Sequence, residues 1–337
     1  MADNRDVPAL PRDWVSAEQR DHPLAGRIWS RQVDELVAAQ DYGTRLAKAR
    51  YVLLGEVHDN ADHHRLQAWA IRAISKLRGA RLVEGAAQIE AVALEMLTAE
   101  DSEALDRFYG RNAKVPRPRT AADFGRILKW DKSGWPDFAI YEPIVAAALE
   151  ANLVLKPASP ARSENRKVSK DGMAGIEAAE AQRLKLDEPL AADLAATLAE
   201  EIKESHCGML PEPALPNMSL VQRLRDARMA DAMLAGSEWK GAILIAGNGH
   251  VRPDRGVPWY LSRRGAAEAD IVTVLHVEVE VGKTKPADYD VLDPVIGRKA
   301  DFVVFTPRHT RPEPCEEMRR QMEAIKARQK PQPAESK

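Results

Sequence analysis

The sequence predicts an α/β protein with a central, mainly parallel sheet flanked by helices and a helical insertion in the middle of the chain. Three observations carry this. Residues 51–54 (Tyr-Val-Leu-Leu) and 242–246 (Ala-Ile-Leu-Ile-Ala) are short, continuous apolar runs, the pattern of strands buried on both faces. The first run leads into a helix and then into a second strand–turn–helix unit, the alternation a parallel sheet requires. From about 100 to 235 the chain reads mostly as helix.

The elements follow in order. After the strand at 51–54, Asp59, Asn60 and Asp62 offer N-cap chemistry to a helix over about 62–76, where Leu66, Ala70, Ile74 and Leu77 share a helical spacing. Residues 81–83 (Arg-Leu-Val) read as a second strand ending in Glu84-Gly85, with 86–97 as its return helix. The Pro-rich stretch 117–119 reads as loop and 121–130 as helix. Residues 131–136 interrupt, and 140–151 forms a helix that runs into a third strand at 153–155. Residues 163–173 are polar and expected as loop. The Ala/Leu/Glu-rich stretch 174–203 and residues 220–234 are expected as helices around a Gly/Pro loop at 206–216. A fourth strand lies at 242–246, a fifth at 271–281 and a sixth at 301–305; residues 315–328 read as a charged amphipathic helix on a surface arm. The expected organisation is an N-terminal arm (1–25), a single α/β domain (26–309) with its helical insertion, and a C-terminal helix and tail (310–337).

Composition narrows the function. Forty-nine basic residues against 51 acidic ones leave a net charge of -2, without the basic excess of a nucleic-acid binder. Hydrophobic residues make up 45% and charged ones 30%, ordinary for a soluble chain, and no uninterrupted apolar stretch is long enough to span a membrane. The opening residues, MADNRDVPALPRDW, contain neither an apolar signal core nor a lipobox. The expectation is a chain without an export signal, its compartment left open. Two cysteines, Cys207 and Cys315, are too few for a disulfide framework or a four-cysteine zinc site, and Cys207 is expected as a small buried thiol.

The chemistry concentrates in one motif that occurs twice. Gly55-Glu56-Val57-His58 and Gly247-Asn248-Gly249-His250 each stand where an apolar strand ends. Beyond the carboxyl ends of parallel strands lies the usual ligand crevice of such a sheet. Glu84 holds the equivalent place after the second predicted strand. Glu56, Glu84, His58 and His250 are thus expected to converge, able to hold a divalent metal, run acid–base chemistry on water or contact a cofactor. A single histidine after a strand is ordinarily structural; two copies of the motif favour a site. His63 and His64 open the next helix about 100° apart, so at most one faces the crevice. Trp130, Trp135, Phe138 and Tyr141 form either a satellite apolar cluster or a flat wall for a planar ligand, with tyrosine a ligand type for ferric haem. Met218, Met229 and Met233 offer adaptable apolar surface, although methionines at helical spacing are commonly core.

These residues resemble a known family. Gly55 to Asn60 followed by His63, His64 and Gln67, the segment from Trp130-Asp131 to Tyr141-Glu142-Pro143-Ile144, residues 206–211 with Gln222, Arg225-Asp226 and Met229-Ala230, and Gly247 to His250 with Gly256-Val257-Pro258 are similar, in the same order, to the signatures of the ChaN-like haem-binding uptake proteins. The resemblance implies an α/β fold and haem, or another iron porphyrin, held by a tyrosine at a homodimer interface, in bacterial iron acquisition. Members are commonly exported and lipid-anchored, which suggests a periplasmic or membrane-associated protein, while this sequence shows no lipobox. Among its six tyrosines, Tyr141 ranks first as axial ligand to the haem iron and Tyr260 second; His58, His64, His250 and Met218 complete the expected cofactor-binding set. The absence of Cys-x-x-Cys-His excludes covalent haem attachment. The chain is also similar to the Tiki/TraB proteases and erythromycin esterases, which implies an alternative: a metal-assisted hydrolase using Glu56, His58, Glu84 and His250.

Overall fold

The computed structural model describes residues 7–80, 88–110, 119–235, 240–289 and 300–329. In chain order the elements are β1 (Ile28–Ser30), β2 (Glu35–Val37), α1 (Ala39–Lys48), β3 (Tyr51–Glu56), α2 (Ala61–Gly79), β4 (Gln88–Thr98), α3 (Ser102–Tyr109), α4 (Ala121–Ile127), α5 (Phe138–Glu150) and β5 (Val154–Ser159). They continue with α6 (Arg162–Asp171), α7 (Ala178–Arg183), α8 (Ala192–Ser205), α9 (Leu215–Leu234), β6 (Lys240–Gly247), α10 (Val257–Arg263), β7 (Ile271–Glu278), β8 (Phe302–Thr306) and α11 (Pro314–Gln329).

The strands form one 8-stranded sheet in the order β2-β1-β8-β7-β3-β6-β4-β5. From β8 to β5 all neighbours run parallel; β1 and β2 add an antiparallel ribbon at one edge. The α/β class with a mainly parallel sheet is as the sequence predicts. Pro157, which has no N–H to give a neighbour, lies in β5 at the other edge.

Alternate residues of the central strands feed two cores. Val52, Leu54, Val92, Leu94, Ile243 and Ile245 pack under α2 and α5, while Tyr51, Leu53, Ala93, Leu244 and Ala246 pack under α9 and α10. Each fully buried aliphatic side chain contributes about 1.5–3 kcal/mol, and this overrides local preference at β4. Residues 88–97 are rich in Ala, Glu, Met and Leu and read as helix; with Thr98 they form an 11-residue strand between β6 and β5. Helix propensity differs by only about 0.7 kcal/mol per ordinary residue, too little against burial on both faces from Ala91 to Leu97. The predicted strand at 81–83, and Glu84 with it, lies outside the described residues, as do 117 and 118 of the predicted Pro-rich loop.

Two further expectations are corrected. Residues 163–173 are not loop: α6 docks its one buried residue, Val168, and pairs Glu164 with Arg228 of α9 at 2.5 Å. A surface helix with a single apolar anchor leaves little periodicity to read. Cys207 is not a free thiol but is disulfide-bonded to Cys315, 108 residues away.

Connections place the site. β3 leads through α2 to β4 on one side, and β6 leads through α10 to β7 on the other. The two adjacent strands thus send their chains in opposite directions, the switch point at which an open parallel sheet leaves a crevice.

Candidate functional site

Glu56 ends β3 and is paired in register with Gly247, which ends β6, so both Gly-x-x-His motifs leave the sheet at one level. Neither glycine is replaceable at no cost. A Cβ on Gly55 would come within 2.3 Å of Asn248 Oδ1, and one on Gly247 within 3.0 Å of His58 Nε2. The small residues let the two loops interlock.

Between these ends runs an alternating row of carboxylates and imidazoles. Asp226 Oδ1 of α9 lies 2.6 Å from His250 Nδ1; His250 Nε2 lies 3.4 Å from Glu95 Oε1. Glu95 Oε1 is 3.9 Å from His58 Nε2, and His58 Nδ1 is 2.8 Å from Glu56 Oε1. Glu56 Oε2 ends the row, 3.3 Å from His64 Nε2 at the start of α2. Glu95 also accepts the Gly247 amide at 2.7 Å and pairs with Arg225. The Gln222 amide sits 3.1 Å from His250 Nδ1.

Burial and pairing set the charges. For Glu56, burial opposes ionisation, but His64 and His58 outweigh it and hold the carboxyl well below its usual range. Glu95 behaves likewise, held down against burial by His250 and Arg225. Burial disfavours an imidazolium at His250, yet Glu95 and Asp226 push its pKa up to about 9. His58 is also raised, the Glu56 hydrogen bond and the Glu95 charge overcoming desolvation. Most of these groups are buried, and removing one partner of a buried charged pair costs far more than at a surface.

Access is uneven. The His58 side chain is 35% exposed, whereas those of Glu56 and His64 are fully buried and that of His250 is 5% exposed. Trp135, half-buried, meets the His58 ring edge-on at 4.9 Å. His58 and Trp135 therefore form the rim.

Tyr141, near the start of α5, closes the floor. Asp137 caps that helix by accepting the Ala139 amide. The Tyr141 hydroxyl donates to the His58 carbonyl at 3.0 Å and lies 3.3 Å from Glu56 Oε1. Its ring stacks on His64 at 4.1 Å and lies 4.9 Å from Trp130. Burial and the Glu56 charge raise its pKa and keep it a neutral phenol.

The predicted residues thus separate. Glu56, His58, His64, His250 and Tyr141 come together in the crevice. Tyr260 and Met218 do not join them. Tyr260 is buried in α10, its hydroxyl accepting from Arg223 Nε at 2.9 Å, and Met218 packs against Leu190, Leu198 and Ile202. His63 turns away from the crevice, 2.9 Å from Thr306 Oγ1 and beside His276, which donates from Nδ1 to the Gly55 carbonyl at 2.6 Å.

Glu95 escaped the sequence reading altogether, and Gln222, Arg225 and Asp226 entered it only within the family resemblance, not as site residues. Glu95 was hidden by the helical reading of β4. For Gln222 and Asp226 a signal existed, two polar groups at i and i+4 on a helix whose neighbours Leu224, Ala227 and Met229 are buried. Among the described residues no group of three or more His, Cys, Asp or Glu is arranged to hold a metal ion.

Comparison with known proteins agrees with this architecture. A family model described as haem-binding uptake, Tiki superfamily, ChaN matches residues 43–261. Among solved structures the chain is similar to ChaN of Campylobacter jejuni, described in cofacial haem binding, with a TM-score of 0.61 and 22% identity over 82% of this chain and 95% of that one. It is also similar to the type III effector HopBA1, with a TM-score of 0.42 and 11% identity over 90% of this chain and 99% of that one. No curated protein matches the chain.

Proposed function

The chain belongs to the haem-binding uptake family ChaN of the Tiki superfamily, and on that premise we propose that it takes up ferric haem at the crevice between β3 and β6, in the service of bacterial iron acquisition. The observation that carries the reading is Tyr141. It is the tyrosine at the crevice floor, its hydroxyl 3.3 Å from Glu56 Oε1 and 3.0 Å from the His58 carbonyl.

The donor set fits the group. Bound there, ferric haem supplies a Lewis-acidic iron and a wide apolar plane. Tyr141 would hold the iron in this reading, its hydroxyl giving up the His58 carbonyl and Glu56 to do so. Trp135 offers an apolar wall at the rim, and His58 is the exposed donor for a propionate. One chain offers the macrocycle a single rim, so a second copy closing the mouth completes the site. Tyr260, held by Arg223 under α10, stands second. The Cys207–Cys315 disulfide supports residence in an oxidising compartment such as the periplasm.

The test is titration of the purified protein with ferric haem, read by absorption and by sedimentation. A saturating Soret band, lost in Tyr141→Phe and kept in Tyr260→Phe, with haem-dependent dimers, is the expected result. Saturable binding that survives Tyr141→Phe overturns the ligand assignment.

A second reading rests on the two carboxylate–imidazole pairs, Glu56 with His58 and Asp226 with His250, facing one crevice. Each carboxylate orients an imidazole, as general acid–base hydrolysis requires. A protein that hydrolyses esters or peptides, and stops doing so in His58→Gln, would favour it. Inactivity on a panel of both substrates would remove it.

A further inference from the structure

After β8 the chain turns back across the carboxyl ends of β7 and β3. The His309 amide donates to Glu278 Oε1 at 3.2 Å, and the Arg311 guanidinium then grips two carboxylates at once. Its Nε and Nη2 donate to Asp59 Oδ2 and Oδ1, each at 2.8 Å. Its Nη1 and Nη2 donate to Glu278 Oε2 and Oε1, at 2.8 and 2.6 Å. Asn60 Nδ2 adds a bond to the same Glu278 oxygen at 2.7 Å and a weaker one to the Pro307 carbonyl at 3.4 Å.

Asp59 directly follows His58, and Asn60 caps α2 by accepting the Asp62 amide. The loop that presents His58 is therefore tied to a segment some 250 residues downstream (252 positions separate Arg311 from Asp59). That segment is fixed a second time: Cys315 is bonded to Cys207 in the turn between α8 and α9. Four residues of chain reach at most about 14 Å, so both fastenings act on one short strap. The Arg311 side chain is 20% exposed and Glu278 14% exposed, which sets this pair apart from open surface ion pairs.

We infer that Arg311 is the positioning residue of the crevice: through Asp59 and Glu278 it holds the His58 loop in the geometry that receives ligand. A guanidinium is the group suited to this task, because its planar fork matches a carboxylate on each of two edges, where an ammonium offers a single point. Its consequence for ligand rests on the haem reading above; its hold on the loop does not.

The experiment uses the full chain and two variants that cut the grip from opposite ends, Arg311→Gln and Asp59→Asn, the second leaving the Arg311–Glu278 pair intact. Hydrogen exchange at the Asn60 amide, which donates to the Val57 carbonyl at 3.0 Å, reads loop order without haem. Haem titration reads the site. Expected are exchange faster by about tenfold or more and haem binding weaker by about tenfold in both variants, with only partial recovery in Arg311→Lys. Exchange at the unmodified rate overturns the inference, as does a loosened loop with undiminished haem affinity, which would leave Arg311 a tether only. If Arg311→Gln does not fold, Asp59→Asn decides. If the unmodified chain binds no haem, the functional reading and the affinity claim fall together, and the exchange result still separates that failure from one of the loop contact.

Discussion

Asp226 and His250 are joined by a 2.6 Å contact between Oδ1 and Nδ1, and the other ring nitrogen of the histidine faces Glu95 at 3.4 Å. An imidazole between two buried carboxylates is held as a cation, with a pKa of about 9. In the unfolded chain it returns to about 6.5. Its contribution is therefore fully present below about pH 6.5 and is lost as pH rises through about 9. Urea unfolding across pH 6.5 to 9.5 should show stability falling by at most roughly 3 kcal/mol from this source. His250→Gln should flatten that slope; an unchanged slope would place the proton elsewhere.

His276 gives the opposite window. Burial pushes its pKa down to about 4 despite its bond to the Gly55 carbonyl. The unfolded chain then binds more protons between about pH 6.5 and 4, so stability is full above that range and declines as pH falls through it. The difference in unfolding free energy between the unmodified chain and His276→Asn should shrink over that interval. A constant difference would contradict the assignment.

Glu95 should be the costliest single side chain in the crevice to remove. Glu95→Ala leaves Arg225 and His250 without their shared counter-charge and should destabilise by about 3–5 kcal/mol. Glu95→Gln, which retains an acceptor for the Gly247 amide, should cost less. Truncating Glu103, whose ion pair with Arg107 is exposed on α3, should change stability by under about 1 kcal/mol. Equal losses at both sites would mean that the crevice charges are solvated.

Gly247→Ala tests the interlock of the two loops. The added methyl would sit 3.0 Å from His58 Nε2, at the free end of a partly exposed ring that can swing aside. Stability should change by about 1 kcal/mol or less, while haem titration should show clearly weaker binding. A larger loss of stability than of affinity would mean that the ring cannot yield.

Both motif strands were readable because nothing competed with them. In β3 and β6 an apolar run stops at a glycine, and the polar residues that follow have only the crevice to face. Glu95 was not readable, because its strand is written in residues that favour helix when alone, and only the neighbouring strands on either side decide otherwise. Asp226 lies on a helix found correctly, but a buried acid is recognised as functional only once His250 is seen beside it. The Cys207–Cys315 bond was unreadable for a simpler reason: a separation of 108 residues carries no local signal. The link from Arg311 to Asp59 is of the same long-range kind.

That disulfide has a topological consequence. It closes residues 207 to 315 into a covalent ring that contains β6, β7 and β8, three strands of the parallel sheet. One peptide-bond scission anywhere inside the ring opens a loop but detaches nothing, so nicked protein remains a single molecule until a reductant is added. Protease digests should show intact mass on non-reducing gels and two fragments on reducing ones. The half of the sheet that carries His250 is thereby insured against the first cut that a protease makes.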